Sequence, residues 1–496
     1  MGEEITSLSA GQMARAVAEK RLSARQIIEA HLARIEAINP TLNAICTLNP
    51  AALGLAKTID ERLAGGAAPR PLEGVPYLAK DNIYTKGLRT TFGSRLLADF
   101  VPDEDSVSVE RLNAAGAVLL GKSNTPEFAH DVNTTNYLFG TTRNPWNLNA
   151  TAGGSSGGSG GAVAARLAPL ALGTDLGGSI RGPAAFNNIV GIRPALGRVA
   201  NHPTDLPWGI LVTGVTGPMA RSVGDAALML SVLAGPDDRD PTSLPAQDLD
   251  FIAAARTAGD LSGKRIAYAG DLAGLVPQDP EVQKLGRRAA QRLQDLGAEV
   301  ADDCFDTSSV IEIMAGTRGF GMIGRYADRY DRHKVLMTPP LVNQIEAALK
   351  LDLRAVTRAE RLRGAYWHQI RKFLQDYDFI VTPTIGVPPF RLDQPLPEKI
   401  GERAVARYYD AFLSTYAFSI TGLPVIAVPA GLTAGGLPVG IQIVGPRQRE
   451  DLVIAVAAAY ERAHPELFVT PEIDLSQAKE LGQAFSSPGL VLKRPL

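Results

Sequence analysis

The chain has 496 residues, 45% of them hydrophobic and 21% charged, with a net charge of −2. That is ample material for a large core, without the low hydrophobicity of a disordered chain or the charge excess that nucleic acid or an anionic membrane would call for. The start, MGEEITSLSAGQMARAV, has neither a basic nor an apolar leader segment, and no run approaches the ~18 apolar residues of a spanning helix, so a soluble cytoplasmic protein is expected.

In chain order, two capping boxes, Ser9 to Gln12 and Ser23 to Gln26, open helices. The second feeds Ile27, Ile28, His31, Leu32 and Ile35 at helical spacing, and Pro40 is expected to end it. His31 on that stripe reads as packing. Short apolar runs bounded by Gly or Pro follow: GVPYLA (74–79), GAVLLG (116–121), APLALG (168–173), YDFIVTPT (377–384), PVIAVPAG (424–431) and VGIQIVG (439–445). They read as buried strands, separated by helical patterns such as 222–234 and 280–296. The segment from about 236 to 304 forms a β-α-β unit of its own, and 310–375 reads as a helical cover. The expected fold is α/β: one domain over 1–496, with a single large mixed central sheet flanked by helices on both sides and a catalytic core at about 74–221.

Two motif matches fail on context. GAVLLGKS (Gly116 to Ser123) spells a phosphate-binding loop, but a helical pattern precedes it and its variable positions are strand-like. GGSSGGSGG around Ser155, Ser156 and Ser159 fits the GxSxG of α/β-hydrolases but lacks the strand before it, which leaves a serine–histidine triad as a secondary reading. Cys46 and Cys304 are too few for a disulfide framework or metal site and read as small buried hydrophobes, and the six histidines include no HExxH. No metal and no cofactor are expected. Lys80, closing the run GVPYLA, sits where a strand end would desolvate it, and a desolvated lysine is a base.

Lys80 in GVPYLAKDN, GKSNTPEFA (121–129), LFGTTRNPWN (138–147), GGSSGG and GTDLGGSIRGPA occur in that order. Together they resemble the amidase signature family of serine hydrolases. The similarity runs from about Gly74 to Arg221 and returns in YDFIVTPTIGVPP and TGLPVIAVPAGLTAGGLPVGIQIVGP. The resemblance implies the fold of that family and a mechanism in which Ser179 is the nucleophile, Ser155 a bridging serine preceded by a cis peptide bond, and Lys80 the terminal base. It also implies an oxyanion hole of the backbone N–H groups of Leu176, Gly177, Gly178 and Ser179. Asp175 and Arg181 are expected to brace that turn, with Ser156 and Ser159 as scaffold.

For the substrate, Phe128, Ala129, His130, Tyr137, Trp208 and Ile210 offer apolar and aromatic surface with one polar element, which suits a neutral aryl or alkyl amide. The same machinery in the family serves carbamates, anilides, hydrazides and esters. Arg325, Arg329 and Arg332, interleaved with Asp328 and Asp331, read as a solvated helix face. An amidotransferase A-type subunit, whose likeness is expected to stop at the catalytic blocks, and a non-catalytic family member stay open as alternatives. The expected partner is a small-molecule amide, with a homodimer left open.

Overall fold

The apolar runs assemble into one eleven-stranded sheet. A computed structural model describes residues 2–204, 206–208, 214–257, 259–393, 398–405, 407 and 409–479. The strands are β1 (Ile45–Leu48), β2 (Pro76–Lys80), β3 (Val118–Ser123), β4 (Leu170–Asp175), β5 (Val190–Arg193), β6 (Val215–Ala220), β7 (Arg265–Tyr268), β8 (Glu299–Asp302), β9 (Phe379–Pro383), β10 (Val425–Leu432) and β11 (Pro438–Val444). Their order across the sheet is β1-β3-β2-β4-β6-β5-β10-β11-β9-β7-β8. The neighbours β3, β2 and β4 are parallel, as are β9, β7 and β8. The other neighbouring pairs are antiparallel.

Helices cover both faces, and the period-2 alternation of the strands decides which side chain meets which layer. Tyr77 and Ala79 of β2 pack into the cluster that holds helix Val223–Leu233, whereas Leu78 between them joins the cluster of helix Ala24–Leu42 and of α1 (Gly157–Ala164). The β-α-β unit expected near 236–304 is present as β7, helix Pro280–Asp295 and β8, and it extends the edge of the same sheet. The expected cover consists of α2 (Val310–His333), α3 (Pro339–Leu349) and α4 (Leu353–Phe373). Among the described residues no helix is long and apolar enough to cross a membrane.

Both capping boxes form as read, Ser9 with Gln12 and Ser23 with Gln26. His31 is buried with Nδ1 2.8 Å from the Ile27 carbonyl, and burial pushes its pKa down to about 4, so it packs as a neutral ring. Two expectations are corrected. Pro40 lies inside the last turn of a helix that runs on to Leu42 and stops at Asn43 in left-handed conformation; so close to the end, its missing donor removes a bond the helix can spare. Cys46 and Cys304 are half-buried. The strands β5 and β6 carry no clear apolar run, since VTGPMA holds a glycine and a proline; Pro218 fits because β6 pairs with β5 only at Met219 and Ala220, beyond the proline.

Candidate active site

The site lies where β3, β2 and β4 end together, at the carboxyl edge of three parallel strands, the usual place for chemistry in such sheets. Register brings Lys80 opposite Ser123, and places Thr174 and Asp175 at the end of the neighbouring strand. Lys80 is fully buried, and its Nζ lies 2.6 Å from Ser155 Oγ and 2.9 Å from Thr174 Oγ1. Asn82 donates to the same threonine hydroxyl at 3.1 Å. Burial pushes the Lys80 ammonium well below the usual lysine range, against an opposing pull from the Asp175 carboxylate. A neutral amine 2.6 Å from a hydroxyl can accept its proton.

The two glycine and serine runs meet here. The first leads through a cis Gly154–Ser155 peptide bond into α1, which is buried along its whole length. A Cβ on Gly158 would stand 2.4 Å from the Asn124 nitrogen, so only glycine lets the helix start this close to the chain leaving β3. The second run forms the turn after β4, and the Ser156 N–H donates to the Ser179 carbonyl at 3.2 Å, tying one run to the other. Ser159 hydrogen-bonds to the Leu172 carbonyl and the Ser123 hydroxyl.

Asp175 closes the turn from inside. Its carboxylate accepts N–H groups from Gly178 at 2.8 Å and Ile180 at 3.2 Å, and pairs with the Arg181 guanidinium at 3.0 Å and with Arg193 at 3.8 Å. Burial alone would raise this carboxyl; the two guanidiniums and the Gly178 N–H outweigh it and hold it well below the usual carboxylate range. Arg181 reaches on to the Thr415 carbonyl, Gln442 and Ser419, which fixes the turn to β11 and to helix Leu413–Ser419. Gly178 has φ +120°, and a Cβ there would meet Thr415 Oγ1 at 2.1 Å. Of the four N–H groups expected in an oxyanion hole, Gly178's is corrected: it is spent on Asp175. Among the described residues nothing accepts from the N–H of Leu176, Gly177 or Ser179.

Replacing Asp175 with asparagine is expected to lower unfolding stability by about 3–5 kcal/mol, because two buried guanidiniums would lose their anion. Urea unfolding at pH 7 checks this; an unchanged midpoint would contradict the bracing role.

Ser155, Ser179 and the turn open on a cavity of about 410 Å³. Phe128, Ala129 and His130 line it, but Tyr137 and Trp208 do not: Tyr137 stacks against Arg95, and Trp208 is 73% exposed. Ile210 lies outside the described residues. Phe128 and Ala129 both have positive φ, 48° and 63°, a costly conformation held by the Phe128 N–H on the Phe92 carbonyl and by ring packing on Tyr326. His130 Nδ1 accepts from Arg318, so Nε2 carries the hydrogen and faces the Tyr326 hydroxyl at 3.2 Å. Burial, with Arg318, Arg325 and Lys80 nearby, keeps His130 neutral.

The reading of Arg325 and Arg329 as a solvated face is overturned. Both line the cavity with Arg318, while Asp328, Asp331 and Arg332 on the other side of α2 are exposed. The interleaved signs mark two faces of one helix, which charge order along the sequence does not separate. Thr174, Asn82, Thr415 and Arg318 also belong to the site: the first two stand inside the blocks GTD and KDN, but the last two have no local signal. The GKS lysine, Lys122, is buried in β3, where its Nζ donates to the Ile83 carbonyl and, at 2.7 Å, to Thr85 Oγ1. Among the described residues no cluster of three or more His, Cys, Asp and Glu could hold a metal ion.

Residues 26–454 match the model of the Amidase family. The chain belongs to the amidase signature family. It is thus a hydrolase of amide C–N bonds. It is 37% identical over 464 residues to an acylamidase of Rhodococcus erythropolis, covering 92% of this chain and 96% of that one. A bacterial aryl acylamidase of the amidase signature family superposes with a TM-score of 0.87 at 31% identity, over 96% and 99% of the two chains. The glutamyl-tRNA(Gln) amidotransferase A subunit of Methylococcus capsulatus is 35% identical over 482 residues, covering 91% of this chain and 96% of that one, so the likeness to such amidotransferases extends well past the catalytic blocks.

Proposed function

We propose that the enzyme cleaves aryl or alkyl amides through an acyl-enzyme on Ser179. Serine at its ordinary pKa is a weak nucleophile and needs a base; with His130 tied to Arg318, the base is neutral Lys80 acting through Ser155. As Ser179 attacks the carbonyl, its proton passes to Ser155 and the proton of Ser155 to Lys80. The negative charge on the carbonyl oxygen is met by the N–H groups of Leu176, Gly177 and Ser179, and the relay then returns the proton to the departing nitrogen. Water hydrolyses the acyl-enzyme by the same route. The observation that carries this reading is the buried 2.6 Å contact between Lys80 and Ser155 in the cavity that Ser179 also lines.

Likeness to an acylamidase and an aryl acylamidase supports amides over other acyl compounds. Phe128, Val132 and Phe412 give the cavity apolar walls for an aryl or alkyl group, and its volume is within the roughly 300–1,000 Å³ of small-molecule sites. A panel of amide, anilide, hydrazide, ester and carbamate substrates sharing one acyl group tests the assignment. The amide or anilide is expected to release its amine; turnover confined to the carbamate or ester would overturn it.

A further inference from the structure

One wall of the cavity is cationic. Arg318, Arg325 and Arg329, at i, i+7 and i+11 on α2, face the space that Ser155 and Ser179 face. Arg318 donates to Tyr416 Oη and His130 Nδ1, both at 2.9 Å, and to Gln344 Oε1 at 3.2 Å, and its charge also acts on the Asp131 carboxyl. Arg325 has no hydrogen bond and no ion pair among the described residues, and Arg329 has only the Phe128 ring, 5.5 Å from its guanidinium carbon. Among the described residues two carboxylates share the cavity wall. Asp175 is consumed by Arg181 and Arg193, and Asp131 turns one oxygen onto the N–H groups of Val132 and Asn133. Among the described residues, Arg325 and Arg329 therefore have no carboxylate partner in a partly enclosed site, where charge is poorly screened.

A neutral substrate would leave the charges of Arg325 and Arg329 without an anionic partner among the described residues. We infer that the substrate carries a carboxylate, or an anion of the same geometry, on the part that lies against α2, where Arg325 and Arg329 bind it. A guanidinium suits this role because its planar fork meets both oxygens of a carboxylate. The aryl or alkyl group proposed above then becomes the spacer between the scissile bond at Ser179 and the anion. This inference rests on the amidase reading and narrows its substrate class.

The test uses two pairs of anilides that differ only in charge. Glutaryl 4-nitroanilide is compared with 5-oxohexanoyl 4-nitroanilide, which puts a methyl ketone in place of the acyl-side carboxylate. For the leaving-group side, 4-acetamidobenzoate is compared with 4-acetylacetanilide. In the wild-type enzyme kcat/KM for the carboxylate is expected to exceed that for its neutral partner by ~10-fold or more in at least one pair, with the advantage shrinking as salt is raised from about 50 to 500 mM. Arg325→Gln and Arg329→Gln should each bring that ratio down toward one, and Arg325→Lys should keep part of it. Labelling of Ser179 by a fluorophosphonate, run alongside, reports whether each variant has an intact site; if neither glutamine variant does, the wild-type ratio and its salt dependence decide. Neutral partners cleaved as well as the carboxylates in both pairs, or a preference that survives both glutamine variants, would overturn the anion site and leave the amidase intact. A wild-type protein that cleaves none of the four and is not labelled would overturn the amidase reading itself, and this inference with it.

Discussion

Ser179→Ala is expected to remove amide hydrolysis by a factor on the order of 10⁵ or more, with no change in stability. The substitution takes the attacking oxygen but keeps the N–H of residue 179 and the braced turn, whose bonds run through Asp175, Arg181 and Thr415 rather than through the Ser179 hydroxyl. Fluorophosphonate labelling should vanish with turnover. Ser156→Ala is the matched control: its hydroxyl makes only 3.4 Å contacts with the Thr174 backbone, so its loss should cost little of either. Measured kcat/KM for the two variants checks the pair, and an active Ser179→Ala beside a dead Ser156→Ala would reverse the assignment.

The site residues are implied by the family resemblance, and the blocks that carry that resemblance are local. The strand that delivers Lys80 is a continuous apolar run, the register of three parallel strands is set by such runs, and the turn that presents Ser179 is written in consecutive residues from Thr174 to Arg181. The supports of that turn were not legible in the same way. Thr415, Ser419 and Gln442 lie more than 200 residues from Arg181 and carry no periodic signature; only the folded chain brings the Thr415 carbonyl, the Ser419 hydroxyl and the Gln442 amide oxygen to the guanidinium. The cavity wall was misread for a related reason. Arg325 and Arg329 alternate with Asp328 and Asp331 along the chain, yet α2 turns the arginines inward and the aspartates out. Trp208 misled in the opposite sense, as a large aromatic that suggests a pocket but is mostly in solvent.

Lys80→Ala is expected to slow amides far more than activated esters. In the proposed mechanism, attack by Ser179 needs the base with either substrate. Expelling an amine also needs a proton delivered to nitrogen, whereas a nitrophenolate leaves without one. Amide hydrolysis should therefore fall by a further ~10²-fold or more beyond the loss seen with a nitrophenyl ester of the same acid. The pH profile follows from the sign of the Lys80 shift. Burial lowers its pKa, so the neutral, proton-accepting form persists to lower pH than for an ordinary lysine. Wild-type kcat/KM should rise with pH to a plateau whose midpoint lies well below the lysine value of about 10.4, and that limb should be absent in Lys80→Ala. Lys80→Arg keeps a positive charge that cannot be shed and should be as inactive as the alanine variant. Equal losses for amide and ester, with the acid limb retained, would make Lys80 a buried structural cation.

The most direct measurement is the position of the acyl group during turnover. The enzyme would be mixed with excess of a slowly deacylating 4-nitrophenyl ester, quenched in acid within the burst, digested and mapped by mass spectrometry. One acyl group is expected on the peptide that contains Ser179, with fragment ions placing it on that residue, and none in Ser179→Ala. A full burst of nitrophenolate with the acyl group on Ser155 or Ser156 instead, or with no acylated peptide at all, would contradict catalysis through Ser179.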